Sequence, residues 1–369
     1  MAVSIKDVGR LAGVSVSTVS RAFNGYSDIN PVTKQRILEA AEALGYSPNI
    51  SARNLSSKKK QNIGLVISGF LQENTAQARN DEFEFWLMHG AYRCARDLDL
   101  DVAMYSIDSE FQKKKTYEQF CAERNLSGTL MFGLKITDDY FHQLHDAEIP
   151  CVTVDTLVRG RNVGCVTIDN VLAFQELTQY LFDLGHRELL LITGRKTAAV
   201  TMERMAGAYE AYLANNFEFR KENVVYCDFR EDEAYRKTKI YLQKKQKNGA
   251  TAFLCMSDMM AVGVLRAVKE CGYRVPEDFS VVGFDGILLT TYTEPKLTTV
   301  DQQIEQKGYE GMRLLSRILE RPEEARCLYL PHVLKERQST GQKNEGGGGK
   351  DGLPELQEKR VWAEGLKNK

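Results

Sequence analysis

Ala12-Gly13-Val14-Ser15-Val16-Ser17-Thr18-Val19-Ser20-Arg21 is the densest signal in the chain. Before it, Ser4 followed by Asp7 has the form of a capping box that opens a helix running to about Ala12. Gly13 turns the chain sharply, and Ser15 can cap a second helix through about Phe23. A short helix, a turn containing glycine and a hydroxyl-rich second helix predict a helix-turn-helix. Ser and Thr at the start of the second helix can bond phosphates together with free backbone N–H groups, while a longer residue reaches base edges. Val14 and Val19 are expected to point into a mini-core. Val16, Ser17 and Arg21 then face outward, and an arginine can bond guanine through two parallel hydrogen bonds. A small helical bundle with ordinary capping serines is the alternative.

Outward from this stretch, Asn24-Gly25 breaks the second helix and Asn30-Pro31 caps a third. Ile37, Ala41 and Leu44 line one face of that helix, and Gly45 closes it. Ser47-Pro48 repeats the cap-plus-proline signal for a very short helix ending near Ser56. At about ten residues it falls below the ~12–15 needed to be stable alone in water, so it is expected to fold only when a partner helix and DNA bury it. Ser57-Lys58-Lys59-Lys60-Gln61 reads as a linker. Through Lys60 the chain carries nine basic and four acidic residues, an excess of +5 that leaves −6 for the rest of a chain of net charge −1. A basic head on an acidic body suits a polyanion-binding module joined to something else.

From Ile63 the pattern changes to alternating buried-strand runs and helices. The runs are Ile63–Ile67, Val102–Tyr105, Thr129–Phe132 and Cys151–Val154, with helices at Phe85–Leu98 and about Tyr140–Asp146. A second series is read from Gly164–Ile168 onward, with helices at 170–184 and 203–215 and strands at Leu189–Thr193, Val224–Cys227, Ala252–Cys255 and Ser280–Phe284. Alternation of this kind predicts parallel sheets with helices on both faces, here in two lobes with a ligand cleft between them. The 369 residues, 43% of them apolar, suffice for several domains. The expected division is a head over 1–46, a hinge helix and linker over 47–62, and a two-lobed body over 63–340. Gly346–Gly349 opens a flexible tail over 341–369, whose sparse apolar residues form no heptads.

No signal peptide or membrane-spanning run is present in the sequence, so a cytoplasmic location is expected. The eight cysteines stand singly, several in apolar runs, and are expected to be buried free thiols. His142-x-x-His145 with Asp138, Asp139 and Asp146 has metal-ligand types at helical spacing, but a solvated helix face is the better reading. His186 is expected to be a structural residue at a helix end. Neither a phosphate-binding glycine loop nor a nucleophile–base pair stands out, so no enzyme, cofactor or metal is expected.

The order and spacing of Ser4-Ile5-Lys6-Asp7-Val8, Asn24-Gly25, Thr33 to Arg36, Leu44-Gly45-Tyr46-Ser47-Pro48-Asn49 and Ala52-Arg53-Asn54-Leu55 resemble the head of the lactose/galactose repressor family. The resemblance continues through Leu184-Gly185-His186-Arg187, Arg204-Met205-Ala206-Gly207, Ser257–Gly263, Val281–Asp285 and Leu297–Val300, and covers all but the tail. It implies an all-α helix-turn-helix head on an α/β body of two Rossmann-like lobes similar to periplasmic sugar-binding proteins. Three strand crossovers near residues 165, 300 and 331 would form the hinge, giving lobe one about 63–165 and 301–331 and lobe two about 166–300 and 332–340.

The resemblance also implies a homodimer that represses transcription at a pseudo-palindromic double-stranded operator and is controlled by a small effector, a sugar or sugar derivative. The implied DNA contacts are Ser4, Ser15, Val16, Ser17, Thr18, Ser20, Arg21, Asn24, Asn49, Ala52, Arg53 and Leu55. Leu55 would wedge into the minor groove. The implied effector contacts are Arg204 and Asp285, with Asp155, Ser257, Asp258 and Phe83 as further candidates. Ser257 stands where the family often has Asn. An inserted stretch from Gly69 to Asp81 replaces the family's usual loop, and Phe83 falls where a ring would stack on the ligand. Core packing of Phe83, a helix-cap role for Asp285 and a purely structural Asp258 remain open. The rival readings are a catabolite-type regulator answering to a corepressor protein, a sugar-binding receptor without DNA regulation, and a sugar-modifying enzyme.

Overall fold

The computed structural model describes residues 3–23, 26, 28–46, 61–68, 81–244 and 249–343. The chain divides into a unit ending at Gln61 and a larger unit from Asn62. In the first unit, α1 (Ile5–Ala12), α2 (Val16–Phe23) and α3 (Pro31–Ala43) enclose a mini-core of Val8, Ala12, Val19, Ala22, Ile37, Ala40 and Ala41. The local signals act as the sequence indicates. Asp7 Oδ2 accepts from both the backbone N–H and the hydroxyl of Ser4, Gly13 takes a left-handed φ of 66°, and Asn30 Oδ1 accepts from Val32 N at 2.9 Å.

The larger unit begins with β1 (Asn62–Ser68), α4 (Asp81–Asp97), β2 (Asp101–Ile107), α5 (Ser109–Lys114), α6 (Tyr117–Glu123), β3 (Gly128–Phe132), α7 (Asp139–Gln143), β4 (Cys151–Val154) and β5 (Val163–Ile168). There follow α8 (Asn170–Asp183), β6 (Leu189–Thr193), α9 (Ala199–Ala214), β7 (Val224–Tyr226), α10 (Glu231–Gln243), β8 (Ala252–Cys255), α11 (Asp258–Glu270) and β9 (Ser280–Asp285). The last elements are β10 (Thr298–Asp301), α12 (Ile304–Glu320), β11 (Cys327–Leu330) and β12 (Val333–Lys335). They build two six-stranded sheets, of order β11-β5-β4-β3-β1-β2 and β12-β10-β9-β8-β6-β7. Every pairing is parallel except β10 with β12. Strands flanked by helices on both faces must be apolar throughout, and β3, β4, β5, β6, β8 and β9 are buried along their whole length.

One expectation is corrected. The strand at 164–168, read as opening the second lobe, pairs with β4 and β11 in the first sheet. A continuously buried strand carries no mark of which sheet it joins, because membership is decided by distant partners. The chain leaves the first sheet after Ile168, where Asp169 caps α8 by accepting from Leu172 N at 2.9 Å. It returns between β10 and α12 and leaves again between β11 and β12. Lobe one is therefore completed by α12 and β11. α12 lies against α4 at a distance only glycine permits: a Cβ on Gly308 would meet Leu87 O at 1.9 Å, and one on Gly90 would meet Glu305 O at 1.9 Å.

Candidate functional site

In the first unit, Ser15 Oγ accepts from Thr18 N at 3.1 Å and lies 2.7 Å from Ser17 Oγ and 2.8 Å from Thr18 Oγ1, a hydroxyl cluster at the start of α2. Val19 and Ala22 are buried, so the opposite face carries exposed Val16, Ser17 and Arg21, with Thr18 and Ser20 half-buried beside them. Arg21 pairs with Asp28 and lies 5.5 Å from the Tyr26 ring centroid. This face offers hydroxyls, backbone donors at a helix start and one guanidinium, which are the groups that bind a phosphate backbone and read a base edge. Ser4 is engaged by Asp7 at the head of α1. Asn24, Asn49, Ala52, Arg53 and Leu55 lie outside the described residues.

In the larger unit, buried charge gathers at the carboxyl ends of strands from both sheets. Asp155 follows β4 with a left-handed φ of 57°, and Asp285 ends β9 at a φ of 131°, a conformation that non-glycine residues seldom adopt. Asp155 Oδ1 accepts from Thr167 Oγ1 at 2.8 Å and from Lys307 Nζ at 2.6 Å. Lys307, in the first turns of α12, is fully buried and also donates to Gln302 Oε1. Gln302 Nε2 donates in turn to Asp285 Oδ1 at 2.6 Å. The result is a continuous polar chain running from Thr167 and Asp155 in lobe one, through Lys307 and the crossover residue Gln302, to Asp285 in lobe two.

Arg204, in α9, is 3% exposed. Its Nε donates to Asn170 Oδ1 at 3.0 Å and its Nη1 to Met256 O at 2.5 Å, and its guanidinium lies 3.8 Å from the Phe284 ring centroid. Burial pulls Arg204 down from its ordinary pKa, and the carboxylates of Asp285, Asp155, Glu203 and Asp258 oppose that. Burial likewise lowers Lys307, against the pull of Asp155. Asp285 is pushed up by burial against the pull of Arg204. Asp258 is pushed up by burial and by its neighbour Asp285. Such a cluster of desolvated, oppositely charged groups on strained backbone is characteristic of functional sites.

The other predicted residues take different places. Asp258 Oδ2 accepts from the backbone of Gly286 at 2.7 Å and Ile287 at 3.0 Å, while Oδ1 accepts from Thr299 Oγ1 at 2.5 Å. It pins the turn after β9. Gly283 makes room for it, since a Cβ there would meet Asp258 Oδ1 at 2.1 Å. Ser257 caps α11 by accepting from Met260 N at 3.3 Å. Asp285 caps no helix of its own, although Asp258 N approaches its Oδ2 at 3.4 Å. Phe83 is half-buried and packs against the core of lobe one, as Trp86 and Met259 also do. Asp285 also borders a cavity of about 420 Å³ lined by residues of both lobes, among them Trp86, Arg93, Leu288, Glu305 and Arg337; Arg204, Asp155 and Lys307 do not line it. Among the described residues no cluster of three metal-ligating side chains occurs; His142 and His145 are exposed. His186 is buried, with Nδ1 2.9 Å from Thr251 Oγ1 and Nε2 2.9 Å from Ser280 Oγ.

Lys307 and Gln302 escaped the sequence reading. The available signal was Lys307 itself, a charged residue on the apolar stripe formed by Ile304, Gly308, Gly311, Leu315 and Ile318.

A helix-turn-helix unit followed by two parallel-sheet lobes with buried charge between them defines the class of two-lobed, DNA-binding regulators. Comparison with known proteins agrees. Residues 4–49 match the family described as bacterial regulatory proteins, lacI family, and residues 178–340 match the periplasmic binding protein-like domain. The transcriptional regulator RegA of Clostridium acetobutylicum is 30% identical over 333 residues, 89% of this chain and 96% of that protein. A complex of the transcriptional regulator CelR with cellobiose superposes with a TM-score of 0.67 at 28% identity, covering 92% of this chain and 100% of that one. The lac repressor dimer bound to operator and the anti-inducer ONPF shares the fold, with a TM-score of 0.79 at 23% identity over 92% of this chain and 100% of that one. The chain belongs to the lacI family of bacterial transcription regulators. Among the described residues no helix is long and apolar enough to cross a membrane.

Proposed function

We propose that this regulator is a cytoplasmic, non-catalytic repressor that binds a pseudo-palindromic operator as a homodimer and releases or tightens its grip when a small polyhydroxylated ligand enters the cleft between the lobes. The head over 1–46 reads DNA through Val16, Ser17 and Arg21 in the major groove. Ser15, Thr18, Ser20 and Ser4 position it on the backbone. Residues 47–62 carry the coupling, with Asn49, Ala52, Arg53 and Leu55 toward the minor groove.

One observation carries this reading. Arg204 and Asp285 from lobe two and Asp155 from lobe one converge at the carboxyl ends of parallel strands, where open α/β sheets bind their ligands. Carboxylates and a guanidinium can give paired hydrogen bonds to vicinal hydroxyls, and a ring such as Phe284 offers an apolar face. Because Lys307 and Gln302 already satisfy the two carboxylates, a ligand must exchange its hydroxyls for theirs. That exchange alters the bonds joining the lobes across the hinge, which is a differential contact of the kind allostery requires.

The test is a thermal-shift screen of the full chain against mono- and disaccharides and their phosphates, repeated on Arg204→Ala. The reading predicts a stabilising ligand whose shift the variant loses. Binding undiminished in Arg204→Ala removes the assignment of the site.

A further inference from the structure

All eight cysteines fall within the described residues and none is bridged. Two of them, far apart in sequence, are brought side by side. Cys327 opens β11 and is the register partner of Cys165 on β5. Neighbouring strands run about 4.8 Å apart, and residues paired in register project to the same face. That spacing lies inside the ~4.4–6.8 Å range of Cα separations that a disulfide spans. Val166 on the opposite face of β5 belongs to the core that α12 covers, so the thiols project away from α12.

The two positions differ in access. β11 is the edge strand of the first sheet, and Cys327 is half-buried there. Cys165 lies one strand further in and is 1% exposed. The flanking Cys165 thiol and the Tyr329 hydroxyl hold the Cys327 thiol below its ordinary pKa, while the same pairing and burial push Cys165 well above its own. A nucleophilic, reachable thiol thus sits beside a protected one, the arrangement of an attacking and a resolving cysteine.

We propose that Cys165 and Cys327 form a reversible disulfide under hydroperoxide stress, a modification site at the threshold of the hinge. The Cys327 thiolate attacks one oxygen of hydrogen peroxide, and the O–O bond breaks. Cys327 becomes a sulfenic acid, and the departing hydroxide takes up a proton as the first water. Cys165 sulfur then attacks the Cys327 sulfur. The S–O bond breaks, and the hydroxyl leaves with the Cys165 proton as the second water. Two thiols have lost two electrons and the peroxide has gained them. A dithiol reductant reverses the change.

The location gives the bond a consequence. β5 runs on three residues beyond Cys165 to Ile168 before the chain enters lobe two, and β11 runs three beyond Cys327 to Leu330 before its own crossing. A bridge ties two of the three crossing strands together at the lobe-one side. Strand-to-strand bridges in direct register hold the sulfurs in constrained geometry, which makes such bonds readily reducible and suits a transient mark.

The experiment treats the full chain with hydrogen peroxide and maps its peptides without reduction. The expected product is one cross-linked pair containing Cys165 and Cys327, reversed by dithiothreitol and absent from Cys165→Ser and Cys327→Ser. In Cys165→Ser, dimedone labelling of Cys327 should rise several-fold, because the resolving thiol is gone. Amide exchange over residues 166–171 and 328–335 should slow several-fold on oxidation of the unmodified sequence. Peroxide that converts Cys327 to the sulfinic acid without a bridge, or a bridge formed through half-exposed Cys271 instead, overturns the proposal. Unchanged exchange in the bridged protein overturns its link to the hinge.

Discussion

Lys307 Nζ donates to Asp155 Oδ1 across 2.6 Å, joining the start of α12 to the end of β4 through a lysine side chain with no solvent exposure. A buried lysine is costly to desolvate, and the fold retains it only because Asp155 and Gln302 answer it. Through Gln302 the same ammonium is one step from Asp285 in the other lobe. The charge of lobe one is thereby joined by hydrogen bonds to that of lobe two at the crossover.

Lys307→Met removes one partner of this pair and leaves the Asp155 carboxylate, 13% exposed in its side chain, with Thr167 as its remaining donor. Breaking a buried pair from one side costs about 3–5 kcal/mol. The expected result is a loss of that order in the urea-unfolding free energy. Lys307→Met combined with Asp155→Asn should recover part of it, giving a double-mutant coupling of at least about 1 kcal/mol. Additive losses would show that the two side chains do not support each other.

Arg204→Ala should abolish response to the effector while leaving operator binding intact. Arg204 holds Asn170 at the start of α8 and Met256 O after β8, so some destabilisation is expected too, and circular dichroism of the variant must first show a folded chain. Titration calorimetry with the ligand found by screening checks the prediction, with affinity expected to drop at least about 100-fold, or ~2.7 kcal/mol. A folded variant of normal affinity moves the effector site elsewhere.

Local chemistry was readable from the sequence wherever a short-range rule decided the outcome. The Ser4–Asp7 box, the Gly13 turn, the Asn30 cap and the strands at Leu189–Thr193 and Ala252–Cys255 follow from propensity, capping and apolar runs. What the sequence hid was pairing at a distance. Nothing local to Gly164–Ile168 says that its partners are Cys151–Val154 and Cys327–Leu330 rather than the strands after it. A structural Asp258 was an open alternative in the sequence, and only the positions of Gly286, Ile287 and Thr299 show that it holds a turn. Lys307 was passed over because a lysine in an amphipathic helix is ordinarily solvated, and the helical period alone placed it on the buried stripe.

Arg21→Ala should weaken operator binding by roughly 1–3 kcal/mol, the range for a single bidentate base contact. Arg21 is exposed and paired with Asp28 in the free head, so an exposed ion pair of little energetic weight is exchanged when DNA binds. Fluorescence anisotropy with labelled operator measures the change, and the effector affinity of the body should stay the same. Equal loss of both would instead report unfolding.

His186 gives the fold a pH dependence of defined sign. Burial lowers its pKa to about 4, so it is neutral in the native fold, where Thr251 and Ser280 bond its ring nitrogens. In the unfolded chain it takes up a proton near its ordinary 6.5. The unfolded state therefore binds more protons at pH 5, so this contribution is complete above pH 6.5 and is lost as pH falls toward 4. At ~1.4 kcal/mol per pKa unit, the loss between pH 7 and pH 5 is about 2 kcal/mol. Carboxylates titrate in the same window, so the decisive comparison is with His186→Gln, which cannot take the proton. Urea-unfolding midpoints should fall more steeply from pH 7 to pH 5 in the natural sequence than in the variant. Parallel slopes would mean that the imidazole is already protonated in the fold, or that water reaches it.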